Sequence, residues 1–226
     1  GRQDCTDPSP FLRLMMSMAG FSRDVGETAY EQIQALGHDP KDVRHVALTH
    51  FHYDHAGGLP DFPHAQVHIY AEEYAAIIHP QDMYERYPYR KEHWAHGPDW
   101  HVHDHQGDHW FGLPRTEMIE LGSTRFCFVP LPGHTRGHAA VAVQVGEIWL
   151  LHCGDAYTYH GHVHPTHPHQ PDYAFMTMPL VQLNKAFRQI GKYNQRLQQL
   201  LQAYGEQVVL TCSHDVVEFE KFSRHG

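Results

Sequence analysis

Thr49-His50-Phe51-His52-Tyr53-Asp54-His55-Ala56-Gly57-Gly58 is the stretch on which the reading of this chain turns. Residues 43–49 before and into it are rich in Val, Ala and Leu, as a buried strand is. Where an extended backbone continues, residues two apart project to the same side, so His50 and His52 can grip one ion together. Asp54 and His55 follow where the chain has to turn, and Gly57 and Gly58 permit the turn. His50, His52, Asp54 and His55 offer more donors than one tetrahedral ion takes from a single loop, which predicts two adjacent ions. Imidazole and carboxylate without thiolate suit a catalytic Zn2+, or Mn2+ or Fe2+, better than a structural cysteine site. The bland alternative is a solvated loop in a chain that holds 24 histidines.

Three further segments add donors. Pro132-Gly133-His134-Thr135-Arg136-Gly137-His138 lies between two strand-like runs, Gly154-Asp155-Ala156 follows the apolar run 147–152, and Ser213-His214-Asp215 follows 207–212. Each places one donor at the carboxyl end of a strand, where α/β folds gather their sites. Around them the spacing predicts a helix over 25–36 closed by Gly37 and a short helix over 71–78. It also predicts strands over 65–70, 118–121, 124–131 and 138–145. A long helix over 179–204 carries an apolar stripe, and a short helix follows His214. Residues 50–60 and 157–171 read as loops, and residues 79–115, which lose any period, as a lid or insertion. Strands and helices in mixed order point to α/β layers in a single domain over 1–226.

Composition bounds the function classes. The chain has 226 residues, 41% hydrophobic and 19% charged, which is a globular composition with no apolar run long enough to cross a bilayer. A formal charge of −9 repels polyphosphates, so no nucleic-acid partner is expected. Cys5, Cys127, Cys153 and Cys212 form no CxxC pair and are too few for a disulfide scaffold. The last three lie in apolar runs as reduced thiols, which fits a cytoplasmic location. The opening Gly1-Arg2-Gln3-Asp4 has neither an initiator Met nor an apolar leader, so that inference extends only to the residues present.

His50-x-His52-x-Asp54-His55, followed in order by His134, Asp155 and His214, resembles the metallo-β-lactamase superfamily over residues 43–219. The resemblance implies a four-layer αββα sandwich with a dinuclear centre. In it His50, His52 and His134 would bind one ion, Asp54, His55 and His214 the other, and Asp155 would bridge. His52 stands where the family's di-iron, oxygen-reducing branch has Glu, which favours hydrolysis over redox chemistry. The family begins with strands that end in an Asp-Thr-Gly-like turn. Gly1–Asp4 looks like the tail of that turn, so an N-terminally truncated sandwich with further β residues upstream is expected.

The chemistry follows. Two divalent ions about 3.5–4 Å apart bring a shared water toward ionisation at neutral pH. The resulting hydroxide is expected to attack a small carbonyl substrate: a lactone, ester or thioester. Asp54 would pass a proton to the leaving group. The resemblance is strongest to the lactonase-like branch. A glyoxalase-II-type thioesterase fits less well, because the chain ends soon after His214. Family lactonases place an oxyanion-assisting Tyr three residues after the bridging Asp; here Thr158 holds that position, which leaves Tyr157 as the candidate. His138 reads as a support for the ligands and Asp215 as an orienting or capping residue, while Arg136 either meets a substrate anion or is a solvated surface cation. Met83, Tyr84, Tyr87, Tyr89, Trp94, Trp100, Trp110 and Phe111 are expected to wall an apolar pocket. The histidines of 79–115 and 157–171 are read as titrating lid residues that coordinate nothing. A phosphodiesterase on the same metals, or a non-catalytic metal buffer, are the alternative functions.

Overall fold

The computed structural model describes residues 1–86, 88–171 and 185–223. Residue contacts divide the chain into two compact units: Gly1–His68 with Pro80–His101, and Ile69–His79 with Val102–Gly226. The insertion expected over 79–115 is therefore shared between them.

The first unit opens with helices α1 (Arg2–Thr6), α2 (Pro10–Ala19) and α3 (Ala29–Ala35). The α1 turn stands where the sequence suggests the tail of a β turn. The helix expected over 25–36 is interrupted. Val25–Glu27 is a 3-10 turn capped by the Asp24 side chain, and Thr28, extended at ψ 150°, starts α3 afresh. Its end matches expectation: Gly37 sits at φ 84°, and the Gly37 and His38 amides donate to Gln34 and Ile33, a Schellman closure. Strands β1 (His45–Leu48), β2 (Gln66–Tyr70) and β3 (Asp99–His103) form a three-stranded sheet in that order. Between β1 and β2 the expected loop contains a helical turn, α4 (Tyr53–Ala56).

The helix α5 (Ala71–Ile78) follows β2 as predicted, and α6 (Met83–Arg86) is a single turn. The segment 79–115, expected as a lid or insertion without a regular period, holds three strands: β3, and the hairpin β4 (His105–Trp110) with β5 (Leu113–Thr116). Its turn places Phe111 at φ 47° and Gly112 at φ 82°, the left-handed pair that a two-residue hairpin turn requires. Histidines and prolines in these strands dilute the alternation that would have marked them.

In the second unit β6 (Ile119–Leu121), β7 (Thr124–Pro130), β8 (Ala139–Val145), β9 (Ile148–His152) and β10 (Val208–Thr211) make a five-stranded sheet in the order β10-β9-β8-β7-β6. All pairs are antiparallel except β10–β9, with Leu210 opposite Leu151. That parallel return needs a crossover, and helix α7 (Lys185–Tyr204) lies between these strands in the chain; its predicted start near Pro179 falls outside the described residues. Cys127 and Val129 of β7 face a core with Leu151, Leu197 and Leu210, whereas Phe126 and Phe128 face a second cluster with Ala139 and Val141. A sheet covered on both faces explains why β7–β9 read as near-continuous apolar runs. Helix α8 (Val216–Ser223) closes the described chain, and no described helix is long and apolar enough to cross a membrane.

Candidate metal centre

In the first unit the segment after β1 stays extended through Phe51 and His52, and the two-residue period sorts its side chains. Phe51 is fully buried, edge-on to Trp94 at 5.3 Å and Trp100 at 5.5 Å. His50 and His52 turn to the other side with ring centroids 4.6 Å apart. Thr49 Oγ1 lies 3.1 Å from His50 Nδ1, which leaves Nε2 of His50 on the ligand side. His52 then caps α4, whose first turn carries Asp54 and His55. The His55 ring comes 4.0 Å from that of His50, and its Nε2 lies 3.5 Å from Asp54 Oδ2. All four donors of the motif are thus gathered in one unit.

The aromatic residues expected to wall a pocket have other work. Trp94 and Trp100 clamp Phe51, and Trp110 packs into the second unit's core beside Phe111 and Trp149. Tyr87 lies outside the described residues. Several insertion histidines are also hydrogen-bonded: His93 to Asp4, His103 to Glu117, and His105 to the Arg115 carbonyl.

The second unit supplies the remaining donors by topology. Strands β7, β9 and β10 run the same way, because β8 is antiparallel to both β7 and β9 while β10 is parallel to β9. Their carboxyl ends therefore meet at one sheet edge, with His134, Asp155 and His214 in the loops that follow. Asp155 Oδ2 lies 3.1 Å from His134 Nε2 and 3.3 Å from His214 Nε2. One buried carboxylate oxygen thus faces two imidazole nitrogens, an arrangement of nitrogen and oxygen donors that fits a divalent ion.

His138 and Asp215 take the supporting and capping positions expected of them, whereas Arg136, expected to meet a substrate anion or to be solvated, is tied to protein groups. His138 is fully buried; its Nδ1 lies 3.2 Å from the Leu131 carbonyl and its Nε2 accepts the Asp155 amide at 3.1 Å, which places the proton on Nδ1. Asp215 caps α8, accepting the Val217 and Glu218 amides at 2.8 and 3.0 Å. Burial raises its pKa, but hydrogen bonds from Glu218 and His160 more than offset this and hold it below the usual value. Arg136 engages Glu72 and the His79 carbonyl.

Tyr157 departs from expectation. It is buried, and its hydroxyl donates to the Glu218 carboxylate at 2.9 and 3.2 Å rather than being offered to a substrate. Burial pushes the Tyr157 phenol far above its ordinary range and raises the Glu218 carboxyl as well. Two residues next to the site carry no signal in the sequence, Glu218 and Glu73. Each sits inside a short helix whose pattern reads as an ordinary exposed carboxylate.

A protein of Mycobacterium tuberculosis named "Probable metallo-hydrolase" is 38% identical over 217 residues, spanning 95% of this chain and 68% of that protein. This chain belongs to the metallo-β-lactamase superfamily of hydrolases. The N-acyl homoserine lactonase AttM of Rhizobium radiobacter is 30% identical to this metallo-hydrolase over 138 residues, 60% of this chain and 49% of AttM. A solved N-acyl homoserine lactone hydrolase, with N-hexanoyl-L-homoserine at its catalytic metal centre, shares the fold at TM-score 0.56 and 18% identity. The superposition covers 87% of this metallo-hydrolase and 65% of that structure, so the chain spans less than two thirds of its length. The family described as anti-Pycsar protein Apyc1 matches residues 15–88.

Proposed function

We propose that this metallo-hydrolase opens a small lactone at a pair of divalent ions, Zn2+ in preference to Mn2+ or Fe2+. The observation that carries the reading is Asp155 Oδ2, within 3.3 Å of both His134 and His214, in a chain whose segment 50–55 brings four more donors. By resemblance to the family, His50, His52 and His134 would serve one ion and Asp54, His55 and His214 the other, with Asp155 shared. When bound, such a pair supplies Lewis acidity toward a carbonyl oxygen and acidifies water near neutral pH.

The chain's own groups do the rest. His138 fixes Asp155 through its backbone amide, so that the carboxylate stays aimed at its two histidines. Asp54, which lies beside His55, would carry a proton from the attacking water to the leaving alkoxide. The donor set is imidazole-rich and free of thiolate, which suits Zn2+ in an open, catalytic coordination. A lactone is preferred because the lactonase AttM is a relative by sequence and the −9 charge disfavours phosphodiesters.

Metal analysis of the protein, with a panel of lactone, thioester, β-lactam and bis-p-nitrophenyl phosphate substrates, tests the reading. Two tightly held ions and lactone turnover that vanishes in His52→Ala and Asp155→Ala are expected. Turnover confined to the phosphodiester would overturn the substrate class. Four or more ions of equal affinity without turnover would mark a metal buffer instead.

A further inference from the structure

Glu73 is a fully buried carboxyl group in the first turn of α5, and no role described so far uses it. A polar group in such a place is costly unless it is hydrogen-bonded. Its partner is Thr135: the hydroxyl, itself buried, donates to Glu73 Oε2 at 2.6 Å. Thr135 is the residue immediately after His134. The next two residues lean on the same helix. Arg136 donates to the His79 carbonyl at 3.3 Å, and a Cβ on Gly137 would fall on the Glu73 amide nitrogen, so loop backbone touches helix backbone. Within the loop the Gly133 amide donates to the Thr135 carbonyl at 2.9 Å, which couples Thr135 to the residue before His134.

We infer that Glu73 is a positioning residue for His134. Through Thr135 it sets the height of the 132–138 loop and thereby holds His134 Nε2 at 3.1 Å from Asp155 Oδ2. The far end of the loop is fixed separately by His138, between the Leu131 carbonyl and the Asp155 amide. Glu73 is thus the anchor on the His134 side, and it lies on a helix that carries no ligand. The inference rests on the metal reading above.

The test uses the whole chain, stripped and reloaded with Zn2+, with affinity read by competition against a chromophoric chelator and geometry by the visible spectrum of the Co2+ form. Thr135→Val keeps the shape and removes the hydroxyl. Thr135→Ser keeps the hydroxyl and removes the methyl, and Glu73→Gln keeps an acceptor oxygen. Thr135→Val is expected to weaken Zn2+ binding about 10–100-fold, the usual effect of losing a group that orients a ligand, and to shift the Co2+ bands. Thr135→Ser and Glu73→Gln should stay close to the parent in both readouts. Parent-like affinity in Thr135→Val overturns the inference. So does an equal loss in Thr135→Ser, which would assign the effect to packing of the methyl. A parent chain that takes up no Zn2+ overturns the metal reading itself, before any variant is compared.

Discussion

Asp215 closes two structures with one carboxylate, and its two oxygens can be removed separately. Oδ1 caps α8 through the Val217 and Glu218 amides, while Oδ2 accepts the His160 amide at 2.6 Å and His160 Nδ1 at 2.8 Å. The side chain is 2% exposed, so water cannot replace a lost acceptor. Asp215→Asn keeps an oxygen for the cap but turns an NH2 toward His160, which leaves a buried amide donor unsatisfied at a cost of about 2 kcal/mol. Asp215→Ala also removes the cap, a further loss of about 1 kcal/mol. In a chain of this length each kcal/mol moves the melting temperature by about 2–4 °C. The expected falls are therefore about 4–8 °C for Asn and 6–12 °C for Ala. Thermal unfolding followed by far-UV circular dichroism in excess chelator measures them without a metal contribution. Amide exchange over 216–219 should quicken in Ala and stay slow in Asn. Two variants that melt together with the parent would refute the reasoning, and Asn melting below Ala would refute its division between the two oxygens.

Gly137→Ala should be among the most damaging small substitutions, because the new methyl meets the backbone of Glu73 and Glu72, which cannot rotate away. A loss of about 1–3 kcal/mol in a urea titration is expected, and a parent-like midpoint would show that the loop can lift off. Tyr157→Phe removes the hydroxyl held by Glu218; a stability loss of about 1 kcal/mol with kcat/KM preserved is expected, whereas a hundredfold fall in kcat would place the phenol at the reacting carbonyl. Burial raises the Asp4 pKa, but the hydrogen bond and charge of His93 more than offset it, so the folded value lies below the unfolded one. Its contribution is present above the unfolded pKa near about 4 and is lost as pH falls through the lower folded value. The stability gap between parent and Asp4→Asn should therefore narrow below about pH 4, as followed by melting at stepped pH, and a constant gap would refute the assignment.

Local patterns show most clearly where chemistry and neighbours in sequence coincide. The apolar runs of β7, β8, β9 and β10 and the helix α5 appear at nearly the expected bounds, since burial on one or both faces imposes an unbroken period. The Gly37 closure is legible for a different reason, a single-residue requirement for positive φ. The interruption at Thr28 was hidden, because its apolar spacing continues across a cap that only the Asp24 turn reveals. The strands β3, β4 and β5 were hidden too. Their histidines are held by Asp, Glu or carbonyl partners rather than by apolar neighbours, so they do not alternate as core residues do.

The amino-acid sequence alone determined the donor chemistry and its order, since imidazole and carboxylate at fixed intervals need only an extended segment and a turn to share an ion. Tertiary structure decided which polar groups serve the donors and which serve the scaffold. Asp155 meets His134 and His214 because three strands end at one sheet edge, and Tyr157 is occupied because α8 brings Glu218 beneath it. Glu73 is bound to the loop of His134 across 62 residues of chain. Such pairings are set by packing between distant elements, and no local period records them.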